Sequence, residues 1–163
     1  MGVDDLNHPV LEGTVLDIIE PPQGGRVAFV AARVKNIDPC GVNLVGEVKD
    51  PISGQVKFEA RNVLLKPDAD GFATIREGQT ADYANIGVCP NGWAAQNVFG
   101  NEFELTVRVE SDRVAEASFK VALQCTDRTL VGDVAPGVVL EACLCTCDED
   151  YILGDPCDGT EEP

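Results

Sequence analysis

The chain has 163 residues, with 28 acidic against 12 basic, so its formal net charge is −16. A 44% apolar and 25% charged composition excludes wholesale disorder, and the acidic balance excludes attraction to nucleic acid or to an anionic membrane surface. The length suggests one domain plus some additional chain, enough to bury a core without depending on disulfides or a metal.

Residues 1–9 are expected to be a flexible segment. Met1-Gly2-Val3-Asp4-Asp5 has neither the basic nor the apolar region of a signal peptide. No stretch approaches the ~20 apolar residues of a membrane span, so direct membrane insertion is not expected. Seven cysteines point instead to an oxidising compartment. A signal segment is therefore expected to have been removed. The expected location is extracellular or at the cell surface, with the periplasm as the alternative.

Residues 10–128 read as a β-sandwich domain, a run of short strands separated by turns. A first, less regular strand covers 10–19. Val30, Ala32 and Val34 then alternate with Arg33 and Lys35. Val42, Leu44, Gly46 and Val48 alternate with Asn43, Glu47 and Lys49. Asp50-Pro51-Ile52-Ser53-Gly54 is a turn, since proline presets φ and glycine accepts φ > 0. Beyond it Val56, Phe58 and Ala60 alternate with Gln55, Lys57, Glu59 and Arg61, and Ala84, Ile86 and Val88 form another inward row.

Residues 90–101, with Asn91-Gly92, Trp93 and Phe99-Gly100, read as a loop or a packed lid. From Glu102 to Glu110 the alternation is strict, with Phe103, Leu105, Val107 and Val109 on one face. Ser111-Asp112 connects to a strand with Ala115, Ala117, Phe119, Val121 and Leu123 on one face. The two make an antiparallel hairpin. Seven or eight such strands predict an all-β fold, an antiparallel β-sandwich.

Residues 129–163 form an acidic, cysteine-rich tail, with nine acidic residues, no basic one and four of the seven cysteines. Val138, Val139 and Leu140 suggest one last strand. Cys143, Cys145 and Cys147, in an extended segment, would share a face roughly 6.5–7 Å apart, too far to pair with one another. Each would need a partner elsewhere, as would Cys157. Thiolate metal binding is the competing reading. Disulfides are preferred because of the compartment, because no Cys-x-x-Cys knuckle is present, and because the only histidine, His8, is remote in sequence. Topology places Cys89 and Cys125 at one end of the sandwich and Cys40 at the other. Cys89 is expected to pair with Cys125, and the tail cysteines mostly with one another. One thiol is left over.

Catalysis finds little support. His8, between Asn7 and Pro9 near a terminus, makes a hydrolase triad improbable. Gly24-Gly25 after Pro21-Pro22 is a turn rather than a phosphate loop. Asp68-Ala69-Asp70-Gly71 resembles the start of a calcium loop, but position twelve is Gln79 rather than the closing Glu, which favours a plain turn. No catalytic group, cofactor or metal is assigned. Trp93 and Phe99 are candidates for ligand or partner contact, with capping of the sandwich as the simpler role.

Asp50-Pro51, Cys89-Pro90-Asn91 and the hairpin ending at Cys125 resemble an immunoglobulin-like β-sandwich of bacterial cell-surface proteins and lipoproteins. The tail, Cys143-x-Cys-x-Cys to Tyr151-x-Leu-Gly-x-x-Cys157, is similar to cysteine-rich C-terminal segments of some of those proteins. The resemblance implies a non-catalytic binding or structural module for adhesion or envelope assembly. Its partners would be other envelope or extracellular proteins, or itself through strand edges. The alternatives are a metal-binding protein using the tail thiolates and a carbohydrate-binding protein using the 90–101 loop.

Overall fold

The structure, a computed structural model, describes residues 8–76, 79–130 and 137–157, apart from the side chains of residues 128 and 129. Most of the expected N-terminal segment, and residues 131–136 and the last six residues of the expected tail, lie outside the described part. The strands are β1 (Thr14–Glu20), β2 (Arg26–Val30), β3 (Val42–Lys49), β4 (Val56–Val63), β5 (Lys66–Pro67), β6 (Ala73–Thr74), β7 (Ala84–Cys89), β8 (Glu102–Glu110) and β9 (Val114–Thr129). One helix follows, α1 (Val138–Thr146).

Seven strands form one sheet in the order β4-β3-β8-β9-β1-β2-β7, and β5 pairs only with β6. Where the spacing predicts an antiparallel sandwich, the chain builds a single mixed sheet. The reason is β1, which runs parallel to β9 from Thr14 opposite Val121 to Ile18 opposite Cys125, and so joins the first strand to the last. The sheet curls until β7, at one end of the order, packs against β3 and β4 at the other. It is nearly a barrel. No ladder joins β4 to β7, but the Glu59 carboxylate on β4 accepts a hydrogen bond from the Asn85 backbone N–H on β7.

Strand β8 keeps the strict alternation of its sequence. Phe103 and Leu105 point into the core beside Leu44 and Val48 of β3 and Val121 and Leu123 of β9. Ile18, Ala28, Ile86 and Val88 complete it from the far side. Each large apolar side chain buried there contributes about 1.5–3 kcal/mol, so the sheet closes because both its halves present such rows. Gly46 stands among them. A Cβ at that position would lie 2.5 Å from Val30 Cγ2, 2.9 Å from Ile86 Cδ1 and 3.2 Å from the Cβ of Ala84. The absence of a side chain on β3 lets β2 and β7 approach across the interior.

The first strand, expected over 10–19, runs from Thr14 to Glu20, and two further strands differ from expectation. Strand β2 stops at Val30, and of the expected continuation only Val34 pairs, as an isolated bridge to Ala73. In β4 the apolar row faces out, with Phe58 67% exposed, and Lys57, Glu59 and Arg61 are the half-buried row. The polar row turns inward because the seam with β7 needs a hydrogen-bond acceptor, which Glu59 supplies.

The 50–54 turn forms as expected and rests on a fully buried carboxylate. Asp50 accepts hydrogen bonds from the backbone N–H groups of Ala95 (2.8 Å), Ile52 (3.0 Å) and Ser53 (3.1 Å) and from the Ser53 hydroxyl (2.6 Å). Burial alone would raise its pKa. The hydrogen bonds from Ala95, Ser53 and Ile52 outweigh burial and bring it from 3.8 down to about 2. The charged form is thus favoured by folding. Its contribution is fully present above pH about 4 and is lost as the pH falls toward about 2. Asp82, bound by the Arg76 guanidinium at 2.7 Å, shifts in the same direction. Acid titration of unfolding should therefore show stability declining through that window, with a shallower slope in Asp50→Asn. An unchanged slope in that variant would contradict the assignment.

Candidate functional site

The two ends of the curled sheet differ. One end carries the 50–54 turn, the 90–101 loop and the tail. The other carries the 111–113 hairpin tip, where Asp38 N–H donates to the Asp112 carboxylate and the Ser111 hydroxyl donates to the Asp38 carbonyl.

At the first end the expected last strand is instead α1. Val139, Cys143 and Cys147 recur every four residues, the spacing of one helical face, and all three are buried. The helix packs against β9. Its N-terminal cap, Gly137, offers no side chain, and Asp127 of β9 substitutes. The Asp127 carboxylate accepts from the N–H groups of Gly137 (3.0 Å) and Leu140 (3.3 Å), two donors that the helix itself leaves unpaired. Asp127→Ala should lower stability by about 1 kcal/mol, measurable as a reduced thermal midpoint, by analogy with loss of an N-cap.

Three disulfides form among the described residues: Cys89–Cys147, Cys125–Cys143 and Cys145–Cys157, with Cα separations of 5.0, 5.6 and 5.6 Å. The expected Cys89–Cys125 bond is therefore corrected, as is the expectation that the tail cysteines pair mostly with one another. The helical turn is the physical reason. It sets Cys143 and Cys147 on the face that meets the sheet, where each takes one of the two sheet cysteines. Cys145, two residues along and so rotated about 200°, faces away and meets Cys157. Cys40 is exposed and unpaired at the opposite end. The Cys125, Cys143 and Cys147 sulfurs lie within 4.8 Å of one another.

The same end is closed by the 90–101 loop. The Trp93 indole N–H donates to the Val88 carbonyl at 2.8 Å, and its ring packs 5.7 Å from that of Phe103. Phe99 forms a bridge to Leu123. Asn97 accepts from the Glu149 N–H at 2.8 Å, which ties the tail to the loop. Trp93 and Phe99 are half-buried and packed on the core, so the loop is a lid.

The opposite end holds a half-open cavity of about 840 Å³. Leu16, Phe29, Tyr83, Val107, Val109 and Phe119 supply its apolar walls. His8, Arg33, Lys35 and Glu116 also line it, all four exposed, and put charge of both signs at the rim; the half-buried Asp17 lines it as well. The cavity exists because β8 and β9 extend beyond the point where β2 ends. Their inner face continues with Val107, Ala115, Ala117 and Phe119 and has no strand opposite it. Sequence reasoning placed these residues on an inner row but had no signal that the opposing strand stops short.

Arg33 is occupied. It donates to Asp68 at 2.8 Å and to Asp70 at 2.9 Å, with its guanidinium carbon 4.1 Å from the centre of the Phe72 ring. The Asp68 carboxylate also accepts from the N–H groups of Asp70 and Phe72. The Asp68–Gly71 stretch is thus a turn whose carboxylates face an arginine.

Three disulfides suggest an oxidising, extracytoplasmic compartment. No helix among the described residues is long and apolar enough to cross a membrane, which says nothing about strands. The sequence matches no protein-family model and none of the curated proteins.

Proposed function

We propose that the chain is a non-catalytic extracytoplasmic binding module, at the cell surface or in the envelope, that takes an apolar ligand group into the cavity at its open end. The observation that carries this reading is the cavity itself. Its volume falls in the range of ligand sites, its walls are mainly apolar, and most of its charged groups stand at the rim, where they orient a ligand. A side chain or short apolar segment of another envelope or extracellular protein fits those features, in keeping with adhesion or assembly. The likeness to immunoglobulin-like surface domains adds only strand spacing to the case. Strand addition is disfavoured as the binding mode, because the two ends of the strand order lie against each other. Sugar binding at the 90–101 loop is disfavoured because both aromatic rings are packed.

Ala117 offers the test, since it is exposed and lines the cavity. An apolar fluorophore should bind the parent chain saturably at one site. Ala117→Trp, which puts an indole into the cavity, should sharply weaken that binding and leave the thermal midpoint unchanged. Absence of saturable binding, or equal binding by both proteins, would overturn the proposal.

A further inference from the structure

We propose that, when reduced, the chain binds one Zn²⁺ through Cys89, Cys125, Cys143 and Cys147, so that two adjacent disulfides and a four-thiolate metal site are alternative states of the same four residues. The inference does not depend on the cavity.

Geometry carries it. A tetrahedral zinc with Zn–S bonds of about 2.3 Å has its sulfurs about 3.8 Å apart along every edge. The Cys143 and Cys147 sulfurs, which are not bonded to each other, already stand 3.7 Å apart. Cys125 Sγ lies within 4.8 Å of both, whereas the fourth sulfur, that of Cys89, is bonded to Cys147 but stands outside that group of three. Breaking the two S–S bonds pushes each bonded pair out to van der Waals separation, toward the tetrahedral edge length. The backbone of the four residues is held by β7, β9 and the end of α1, and Cys89 makes the largest side-chain movement, swinging toward the other three sulfurs.

The chemistry of the surroundings agrees. Cys143-x-x-x-Cys147 has the spacing of a zinc-binding pair on one helix; Cys143 and Cys147 are fully buried and Cys89 and Cys125 half-buried, and four protein ligands make a closed structural site. A four-thiolate zinc centre carries a net charge of −2 and favours a nearby cation. Arg26, buried at 8% exposure, is the register partner of Cys89, so their side chains emerge on the same face of the sheet. Its Nη1 is paired with the Glu20 carboxylate at 2.8 Å, while its Nε has no hydrogen-bond partner among the described residues. The third disulfide, Cys145–Cys157, lies on the other side of the helix and takes no part.

The conversion balances with a dithiol as reductant. Each S–S bond accepts two electrons and two protons from one dithiol, which becomes a disulfide. Two such steps give four protein thiols. Binding of Zn²⁺ then releases their four protons. An oxidant of the disulfide class takes back four electrons and expels the metal.

The test uses Co²⁺ as a spectroscopic probe, on the full chain reduced under anaerobic conditions. One equivalent should give the intense tetrahedral d–d bands and sulfur-to-metal charge transfer of a four-thiolate site. One equivalent of Zn²⁺ should erase them. Zn²⁺ should also raise the thermal midpoint of the reduced chain. The Cys145→Ser/Cys157→Ser variant should behave like the parent, as should Cys40→Ser. Cys143→Ser should lose the four-thiolate spectrum. The proposal is overturned if binding is not one-to-one, if it survives unchanged in Cys143→Ser, or if it disappears in the Cys145/Cys157 variant.

Discussion

Replacing Cys89 and Cys147 together with serine is expected to lower the unfolding free energy by about 4 kcal/mol, the chain-entropy value for a bond closing a separation of 58 residues. The same reasoning gives about 3 kcal/mol for Cys125–Cys143, with a separation of 18, and slightly less for Cys145–Cys157, with a separation of 12. For a chain of this size the first loss corresponds to a fall of about 10 °C in the thermal midpoint. The order of the three is the sharper statement. Cys89–Cys147 and Cys125–Cys143 fasten one helix to two different strands, so removing both should cost less than the sum of the separate losses. Calorimetry on the three double-serine variants would test this. A largest loss from the Cys145/Cys157 pair would contradict it.

Gly46→Val is expected to cost about 3 kcal/mol, and Gly46→Ala about 2 kcal/mol, both by overpacking. The first atom of any side chain at this site meets Val30 and Ile86 at distances where real Cβ atoms are not found. Both neighbours are buried, Ile86 in the core and Val30 between the core and the cavity. Val30→Ala should recover part of the loss in the Gly46→Ala background and should itself be destabilising in the parent. Denaturant midpoints for the four proteins form the cycle that measures this. If the two substitutions prove additive, the close approach across the interior is not the cause.

Much of the sheet was legible in the sequence because its signals are local. Strand β8 spans Glu102–Glu110 just as its alternation predicts, and the 50–54 turn follows from its proline, its glycine and the Asp50 side chain. Three features were not legible, each for a physical reason. The parallel pairing of β1 with β9 joins residues about a hundred positions apart, and no local pattern encodes it. The inverted facing of β4 depends on what lies across the seam at Asn85. The helix was hidden by a competing period. Cys143, Cys145 and Cys147 suggest a strand when read two apart, whereas Val139, Cys143 and Cys147 read four apart give the face that is buried. The disulfide map then follows from the helix and could not have preceded it. Of the candidate site, the cysteines were identifiable by type alone. The cavity was not, because it arises from the difference in length between β2 and the β8–β9 hairpin.

The parallel β1–β9 pair also decides how the molecule carries tension. A pull toward the N-terminus leaves β1 at Thr14, and a pull toward the C-terminus enters the sheet through two bonds, Cys89–Cys147 into β7 and Cys125–Cys143 into β9, the second of which carries its share to the opposite end of the same pair. The five register pairs from Thr14–Val121 to Ile18–Cys125 are then loaded in shear and must yield together, whereas a hairpin pulled from its open end unzips one rung at a time. Stretching single molecules by their termini should therefore meet one high rupture force, and reducing the protein beforehand should change the route by which that force reaches β9. Along this axis the covalent and hydrogen-bonded parts of the structure resist in series.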